Sequence, residues 1–148
     1  MPELVYPPNA VDVATENLKI APQSIEAEQS VIGGLMLDKN AWDKIGDLIS
    51  EDDFYRRDHR LIFRAIASMS SSGDPCDVVT LSEWLSKQDL LDDAGGLAYL
   101  GTLAKNTPSA ANIKAYAAIV RERSVLRQLI SVGNEISNSA YQTEGRSS

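Results

Sequence analysis

Residues 112–137 read NIKAYAAIVRERSVLRQLISVGNEIS, a stretch with no proline and only one glycine, Gly133. Apolar residues recur along it every three or four positions, which is the period of one helical face. The members of this apolar stripe are Ile119, Leu126, Leu129 and Ile136, with Ala118, Val125 and Val132 beside them. We predict one helix from about Ala110 to Ala140, roughly 45 Å long at 1.5 Å per residue.

Ahead of this helix the chain carries a series of shorter helix signals and almost no strand signal. Ser24 precedes a turn with two acids, the pattern of a capped helix start. Gly33 and Gly34 lie inside that first helix, where each costs about 1 kcal/mol relative to alanine, so we expect a neighbouring helix to pack closely there. Thr80 and Glu83 fit a capping box, which predicts a helix start at Thr80. The fold class we predict is all-α: a compact head of about five to six helices, followed by a long protruding helix.

The chain of 148 residues divides into three predicted parts. Residues 1–21 have neither a basic start nor a long apolar run, so we expect a flexible arm and no secretory signal. Residues 22–108 form the helical head, and residues 109–148 form the long helix and a truncated hairpin turn in YQTEGRSS. Short head helices can cover only the first part of the long helix. The rest of its stripe needs a partner helix, from a later part of a parent chain or from another subunit, and we therefore expect the chain to be a fragment.

The net charge of −7 is unevenly distributed. Residues 1–104 carry 8 basic and 18 acidic side chains, and residues 105–148 carry 6 and 3. An acidic head is unsuited to binding phosphates. The main rival hypothesis, a small helix-turn-helix-like DNA-binding domain, would need a basic recognition helix that the head lacks. The weakly basic long helix could contact an acidic partner or a nucleic-acid strand, or could simply be solvated.

No chemical motif predicts catalysis. The paired glycines are not followed by the Lys-Ser or Lys-Thr of a phosphate loop. The only histidine, His59, lies in EDDFYRRDHR, where interleaved arginines oppose a cation, so an ion-paired helix entry is favoured over a metal site or a small enzyme.

The single Cys76 excludes an internal disulfide and fits a cytosolic setting. No stretch approaches the ~20 apolar residues of a membrane span. We therefore predict no catalytic, cofactor-binding or metal-binding residues.

Several segments together resemble the N-terminal domain of bacterial DnaB-type replicative helicases. They are PQSIEAEQSVIGGLMLD (22–38), DDFYRRDHRLIFRAI (52–66), GDPCDVVTLSEWL (73–85) and GGLAYLGTLAKNTPSAANIKAYAAIVRERSVLRQLI (95–130). The resemblance extends in order over about residues 20 to 148.

The resemblance implies an interaction domain, a helical head followed by a helical hairpin. Such domains pair, three pairs form a collar on the hexameric ring, and the collar docks the C-terminal domain of DnaG primase and communicates with helicase loaders. The motor, a separate RecA-like domain that uses ATP and magnesium to move 5′→3′ on single-stranded DNA, is absent from this chain, as is the second hairpin helix. We expect no ATP hydrolysis, cofactor, direct DNA binding or membrane association from this chain, and a cytoplasmic location at the replisome.

Candidate contact residues follow from the resemblance and from the apolar stripe. Candidates for the subunit interface are Asp77, Leu97, Tyr99, Ile119, Leu126 and Leu129. Candidates for primase docking are Ile119, Arg123, Leu126 and Arg127. Leu97 stands where several relatives of the family have phenylalanine, so its contact would be smaller.

Overall fold

A computed structural model of the chain describes residues 19–147, with side chains of the last helix described as far as Thr143. The elements are α1 (Ile25–Leu37), α2 (Ala41–Ile45), a 3₁₀ turn (Glu51–Asp53), α3 (Arg57–Ser71), α4 (Val78–Lys87), α5 (Gly96–Asn106) and α6 (Ile113–Ser147). Within the described part of the chain there is no strand. The all-α prediction, a head followed by a long helix, is therefore confirmed. Most of the predicted N-terminal arm, residues 1–18, lies outside the described residues.

Helix α1 occupies the centre of the head and packs against α2, α3, α5 and α6. Its predicted start is confirmed, because the Ser24 hydroxyl accepts a hydrogen bond from the Ala27 N–H at 3.2 Å. The predicted close packing at the glycine pair is also confirmed. A Cβ on Gly33 would lie 1.8 Å from Oγ1 of Thr107, and one on Gly34 would lie 3.0 Å from a side-chain carbon of Ile113. The pair therefore allows the end of α5 and the start of α6 to approach the backbone of α1.

The core is a single apolar cluster shared by the five short helices and the first turns of α6. Its largest fully buried members include Phe54, Ile32, Ile45, Ile62, Ile66, Leu81, Leu85, Leu100 and Ile113. Full burial of each such side chain contributes about 1.5–3 kcal/mol. The fully buried members that α6 contributes to the cluster are Ile113, Ala117 and Val120, so the apolar contact between the head and the long helix involves little more than its first two turns.

The predicted start of α4 at Thr80 is wrong. The helix begins at Val78, and Asp77 is its cap, with a carboxylate oxygen 2.8 Å from the Thr80 N–H. Thr80 is the third residue of the helix, and its hydroxyl donates to the Pro75 carbonyl oxygen at 2.8 Å. An aspartate three residues earlier competes successfully with Thr80, because aspartate is at least as strong a cap as threonine.

The bounds of α6 also differ from prediction. The helix begins at Ile113 rather than near Ala110, because Ser109 caps only a local turn by accepting from the Ala111 N–H at 3.3 Å. It continues past the expected end at Ala140 to Ser147, so the turn predicted in residues 141–148 is helical through residue 147. Residues 141–144 are tolerable or good helix formers with no proline among them, and they extend a helix that already exists. The 35 residues of α6 span about 52 Å.

Candidate interaction surface

One face of helix α6 is buried against the head in the first part of the helix, and the opposite face is exposed. The buried residues Ile113, Ala117, Val120 and Ser124 recur at the spacing of one helical face. Among the described side chains from Val125 to Thr143, none is buried.

The exposed apolar residues of this second part lie on the other side of the helix, as 3.6 residues per turn requires. We call them the distal stripe: Val125, Leu126, Leu129, Ile130, Val132 and Ile136. Leu129 is 62% exposed and Ile136 is 67% exposed. Between residues 128 and 143 the only charged side chain is Glu135. A contiguous apolar surface with so little charge is typical of a protein-protein contact site.

Of the candidate residues on α6, Leu126 and Leu129 belong to the distal stripe. Ile119 lies at its edge, half-buried against the head core. Arg123 is half-buried and forms an ion pair with the neighbouring Glu122.

The two head candidates Asp77 and Leu97 are both exposed, and each stands at the start of a helix. Leu97 is 55% exposed in the first turn of α5. Asp77 caps α4, and the hydrogen bond from the Thr80 N–H holds the pKa of its carboxyl below the usual value. Its carboxylate is therefore already engaged within its own helix.

Tyr99, the third head candidate, directs its hydroxyl group into the head. The hydroxyl oxygen lies 2.6 Å from Nε2 of His59 and accepts a hydrogen bond from the Gln29 side chain at 3.2 Å. The Tyr99 ring stacks on the imidazole with centroids 5.9 Å apart, and the Arg56 guanidinium lies 5.4 Å from the ring centroid. Burial raises the pKa of the Tyr99 hydroxyl. Tyr99 thus attaches α5 to the head, and its role at a subunit interface stays a prediction.

His59, in the first turn of α3, is fully buried. Its Nδ1 lies 2.7 Å from a carboxylate oxygen of Glu28, and both side chains are at most 1% exposed. Glu28 also accepts the Tyr55 N–H at 2.7 Å, which fixes the turn before α3. The ion-paired entry itself exists, since Arg56 pairs with Asp58.

Both ring nitrogens of His59 are therefore engaged by protein groups, which suits a structural histidine better than a general base. In the described part of the chain no three potential ligand side chains are placed to hold a metal ion.

Sequence reasoning missed this buried triad of Glu28, His59 and Tyr99, because its members are 31 and 40 positions apart. One signal was present. Glu28 precedes Val31, Ile32 and Leu35 at helical spacing, so it lies on the apolar face of α1. An acid at such a position predicts a buried partner.

A second polar group joins α6 to the head. Asp53 is 3% exposed, and one of its carboxylate oxygens accepts from Arg121 and from the Ser124 hydroxyl, each at 2.7 Å. The other oxygen accepts the Ser50 N–H at 2.8 Å. The 3₁₀ turn and the middle of α6 therefore share one buried carboxylate.

Arg127 extends the same attachment by one helical turn. Its guanidinium donates to the backbone carbonyl of Asp53 at 2.7 Å and to that of Pro22 at 2.6 Å. The guanidinium also lies 5.5 Å from the centroid of the Tyr55 ring. We call Asp53, Arg121, Ser124 and Arg127 the clasp. The guanidinium of Arg127, a candidate for primase docking, is thus hydrogen-bonded to the head.

None of the helices described between residues 19 and 147 is long and apolar enough to cross a membrane.

Comparison with known sequences places this arrangement in a family. Residues 20–122 match the family model described as the DnaB-like helicase N terminal domain. The replicative DNA helicase DnaB of Pasteurella multocida is 48% identical over 126 residues, which make up 85% of this chain and 27% of that protein. The chain thus spans less than a third of the length of this curated relative.

Two solved structures are similar. The crystal structure of the N-terminal domain of DnaB helicase from Mycobacterium tuberculosis superposes with a TM-score of 0.82 at 38% identity, covering 84% of this chain and 89% of that one. The N-terminal domain of DnaB helicase from Helicobacter pylori, described together with its interactions with primase, has a TM-score of 0.67 at 21% identity, covering 78% and 89%. The second likeness concerns the fold alone. Because the family model covers most of the head and the start of α6, and the mycobacterial domain agrees in both sequence and fold, this chain belongs to the family of DnaB-like helicase N-terminal domains.

Proposed function

We propose that the chain is the interaction domain of a bacterial replicative helicase, through which subunits pair and primase docks. The observation that carries the proposal is the distal stripe, which faces away from the head on a helix that extends beyond it. Neither function requires a reaction centre, in keeping with a head whose buried polar groups are engaged with one another.

The energy available from the distal stripe limits how tightly two copies can pair. Its six side chains are 38–67% exposed, so covering each contributes about 1 kcal/mol. Two copies together gain on the order of 12 kcal/mol, within the 4–15 kcal/mol that association costs. The stripe alone therefore supports a weak dimer. Contacts through Leu97 on the head, or a further hairpin helix of a longer parent chain, would strengthen it.

The position of the residues suggests how one helix could serve two partners. Ile119, Arg123, Leu126 and Ile130 recur at spacings of four, three and four, so they share one edge of α6. Leu129, Val132 and Ile136 lie around the helix from this edge. We assign the first edge to primase, in line with the resemblance and with the primase interactions described for the Helicobacter pylori domain. The second edge remains available for pairing while primase is bound, and the first edge adds its share of the pairing energy when primase is absent.

The proposed parent protein is an ATP-dependent 5′→3′ DNA helicase of the cytoplasmic replisome, with ATP and magnesium in a separate motor domain. In it, this domain would belong to a collar of three pairs, and a helicase loader could also contact that collar. The rival DNA-binding role gains no support from α3, where Arg57 pairs with Asp93 at 3.5 Å and Arg64 pairs with Glu51 at 2.9 Å.

Light scattering over a dilution series tests pairing. The unmodified chain should show a concentration-dependent dimer, and Ile136→Asp, which places a charge in the stripe, should be monomeric throughout. Asn138→Asp adds the same charge on the opposite side of α6 and should pair like the unmodified chain. A strict monomer at high concentration for the unmodified chain would refute pairing by this chain.

Primase docking is tested separately by pull-down of the C-terminal domain of primase. The bait is this chain, or a version extended by about 30 residues of its parent to complete a hairpin. Arg123→Ala should weaken capture by either bait. Failure of both baits would reject primase docking, and capture by the longer bait alone would assign it to the complete hairpin.

A further inference from the structure

The clasp contains the last side chains of α6 that are at least half-buried, among those that the structure describes. Up to Thr143, Ser124 is the last buried residue of the helix, and Arg127 is half-buried one turn later. Beyond Arg127 the described side chains of α6 are all exposed. The direction of the projecting part must therefore be determined at or before this turn.

The chemistry of the clasp is unusually well suited to fixing an angle. The apolar contacts of Ala117 and Val120 resist separation, but they are non-directional and tolerate small rotations. Hydrogen bonds weaken steeply when donor and acceptor lose alignment. The guanidinium of Arg127 is a planar fork, and it reaches two carbonyl oxygens from different segments, at Asp53 and at Pro22. A rotation of α6 about its junction with the head therefore lengthens or misaligns at least one of these bonds.

The length of the projecting part amplifies small changes at the clasp. The twenty residues that follow Arg127 to Ser147 extend about 30 Å. A rotation of about 10° at Arg127 displaces that end by roughly 5 Å, which is one helical turn. Two helices that pair through interdigitated side chains cannot accommodate such a displacement without a change of register.

We infer that Arg127 is a positioning residue, which sets the direction of the distal stripe by joining α6 to both the 3₁₀ turn and the segment at Pro22. This inference rests on the proposed function for its consequence, because a fixed direction matters only if the stripe meets a partner. It also assigns a task to the segment before α1: its backbone at Pro22 supplies one of the two acceptors. Arg127 therefore serves docking indirectly, through the orientation of its neighbours, rather than as a contact residue.

Pulsed electron–electron double resonance measures the distance between two spin labels, and that distance reports the direction of the projecting part of α6. We would place labels at Ser68→Cys, exposed on α3, and at Asn138→Cys, on the side of α6 away from the stripe, in a Cys76→Ser background. Dilution with unlabelled protein removes distances between copies. The matched variants are Arg127→Ala and Arg123→Ala. The Arg127 guanidinium donates to the head at Asp53 and Pro22, whereas that of Arg123 pairs with Glu122 on its own helix.

The doubly labelled protein with Arg127 and Arg123 intact and its Arg123→Ala variant should give the same narrow distance distribution. In Arg127→Ala the distribution should shift or broaden by roughly 3 Å, the displacement that a rotation of about 10° produces 16 Å along the helix. Thermal unfolding of the same samples separates orientation from stability. A lower unfolding temperature with an unchanged distance distribution would show a merely structural role and overturn the inference, as would distributions that are identical in all three proteins.

If Arg127→Ala does not fold, Arg127→Gln tests the same point, because its amide keeps a donor but cannot span both carbonyl groups. The distances are measured within single copies. A chain that fails to pair in the dilution series therefore refutes the proposed function without affecting this result, and an unchanged distance in a chain that does pair refutes the inference alone.

Discussion

Nδ1 of His59 lies 2.7 Å from the carboxylate of Glu28, and neither side chain has appreciable contact with solvent. On its other side the imidazole meets the hydroxyl of Tyr99. Both ring nitrogens of the imidazole are thus engaged, and the Gln29 amide, which donates to the Tyr99 hydroxyl, completes the chain. The relationship joins α1, α3 and α5 through one buried polar path.

Glu28→Gln should destabilise the head by about 2 kcal/mol, because an amide replaces the buried carboxylate that contacts the N–H groups of Tyr55 and Arg56 and the ring of His59. Urea unfolding followed by tryptophan fluorescence measures the loss. Glu26→Gln is the control: it alters an exposed acid in the same first turn of α1 and should change the free energy of unfolding by less than about 0.5 kcal/mol. Equal effects of the two substitutions would contradict a role for the buried path.

Gly33→Ala should destabilise the protein by about 1–3 kcal/mol, because the added methyl group would overlap Oγ1 of Thr107 and force α1 away from α5. Gly101→Ala is a matched control within a helix, since a Cβ there meets nothing within 4 Å. That substitution should stabilise the protein by about 0.5–1 kcal/mol through helix propensity. Chemical denaturation of both variants measures their free energies of unfolding. An unchanged value for Gly33→Ala would show that the contact relaxes without loss of stability.

Asp77→Ala should cost about 1 kcal/mol through loss of the α4 cap, while Asp77→Asn should cost little because asparagine caps equally well. The pH dependence of stability distinguishes aspartate from asparagine at this position. The folded-state pKa of Asp77 is lowered by the Thr80 N–H, so its contribution is present above the unfolded pKa of about 3.9 and is lost as the pH falls through the lower folded value.

Acid unfolding curves below about pH 4 should accordingly be less steep for Asp77→Asn than for the unmodified chain. Asp74→Asn, in the exposed loop before α4, serves as the reference for removing a nearby carboxyl. If Asp74→Asn flattened the curve as much as Asp77→Asn, general charge rather than the cap would be responsible.

Cys76 should react slowly with disulfide reagents near neutral pH. Burial raises the pKa of its thiol, which reduces the thiolate fraction on which the reaction depends. The rate of reaction with an aromatic disulfide at pH 8 should rise several-fold on unfolding in urea, after correction with a free thiol in the same solvent. A native rate equal to that of the free thiol would contradict the burial of the sulfur.

Local signals were sufficient for most of the fold. The Ser24 cap, the glycine pair of α1 and the long apolar stripe each predicted an element that the structure contains, because each acts through neighbours within a few residues. Predictions failed where two local signals competed, as when Asp77 displaced Thr80 as the cap of α4. They also failed at the end of α6, where an existing helix continued through residues that would not have started one.

The candidate surface was only partly predictable for a different reason. Leu126 and Leu129 follow from periodicity, since exposure on one side of a helix is a local property. Other positions depend on contacts with distant residues. Tyr99 directs its hydroxyl into the head, and Arg127 donates to the carbonyl groups of Asp53 and Pro22, with partners up to 105 positions away in the chain. A side chain with both an apolar stem and polar atoms fits either a core or a surface, and the sequence around it does not distinguish them.

The overhang of α6 has a consequence for how this helix forms. A peptide of some twenty residues with few charges is a marginal helix in water, because starting the first turn is unfavourable while adding residues to it is not. The first turns packed against the head supply that start, and order then spreads outward toward residue 147. Backbone amides along α6 should therefore exchange with deuterium progressively faster with distance from Ser124, and a protein that covers the stripe would slow that exchange from the far end inward.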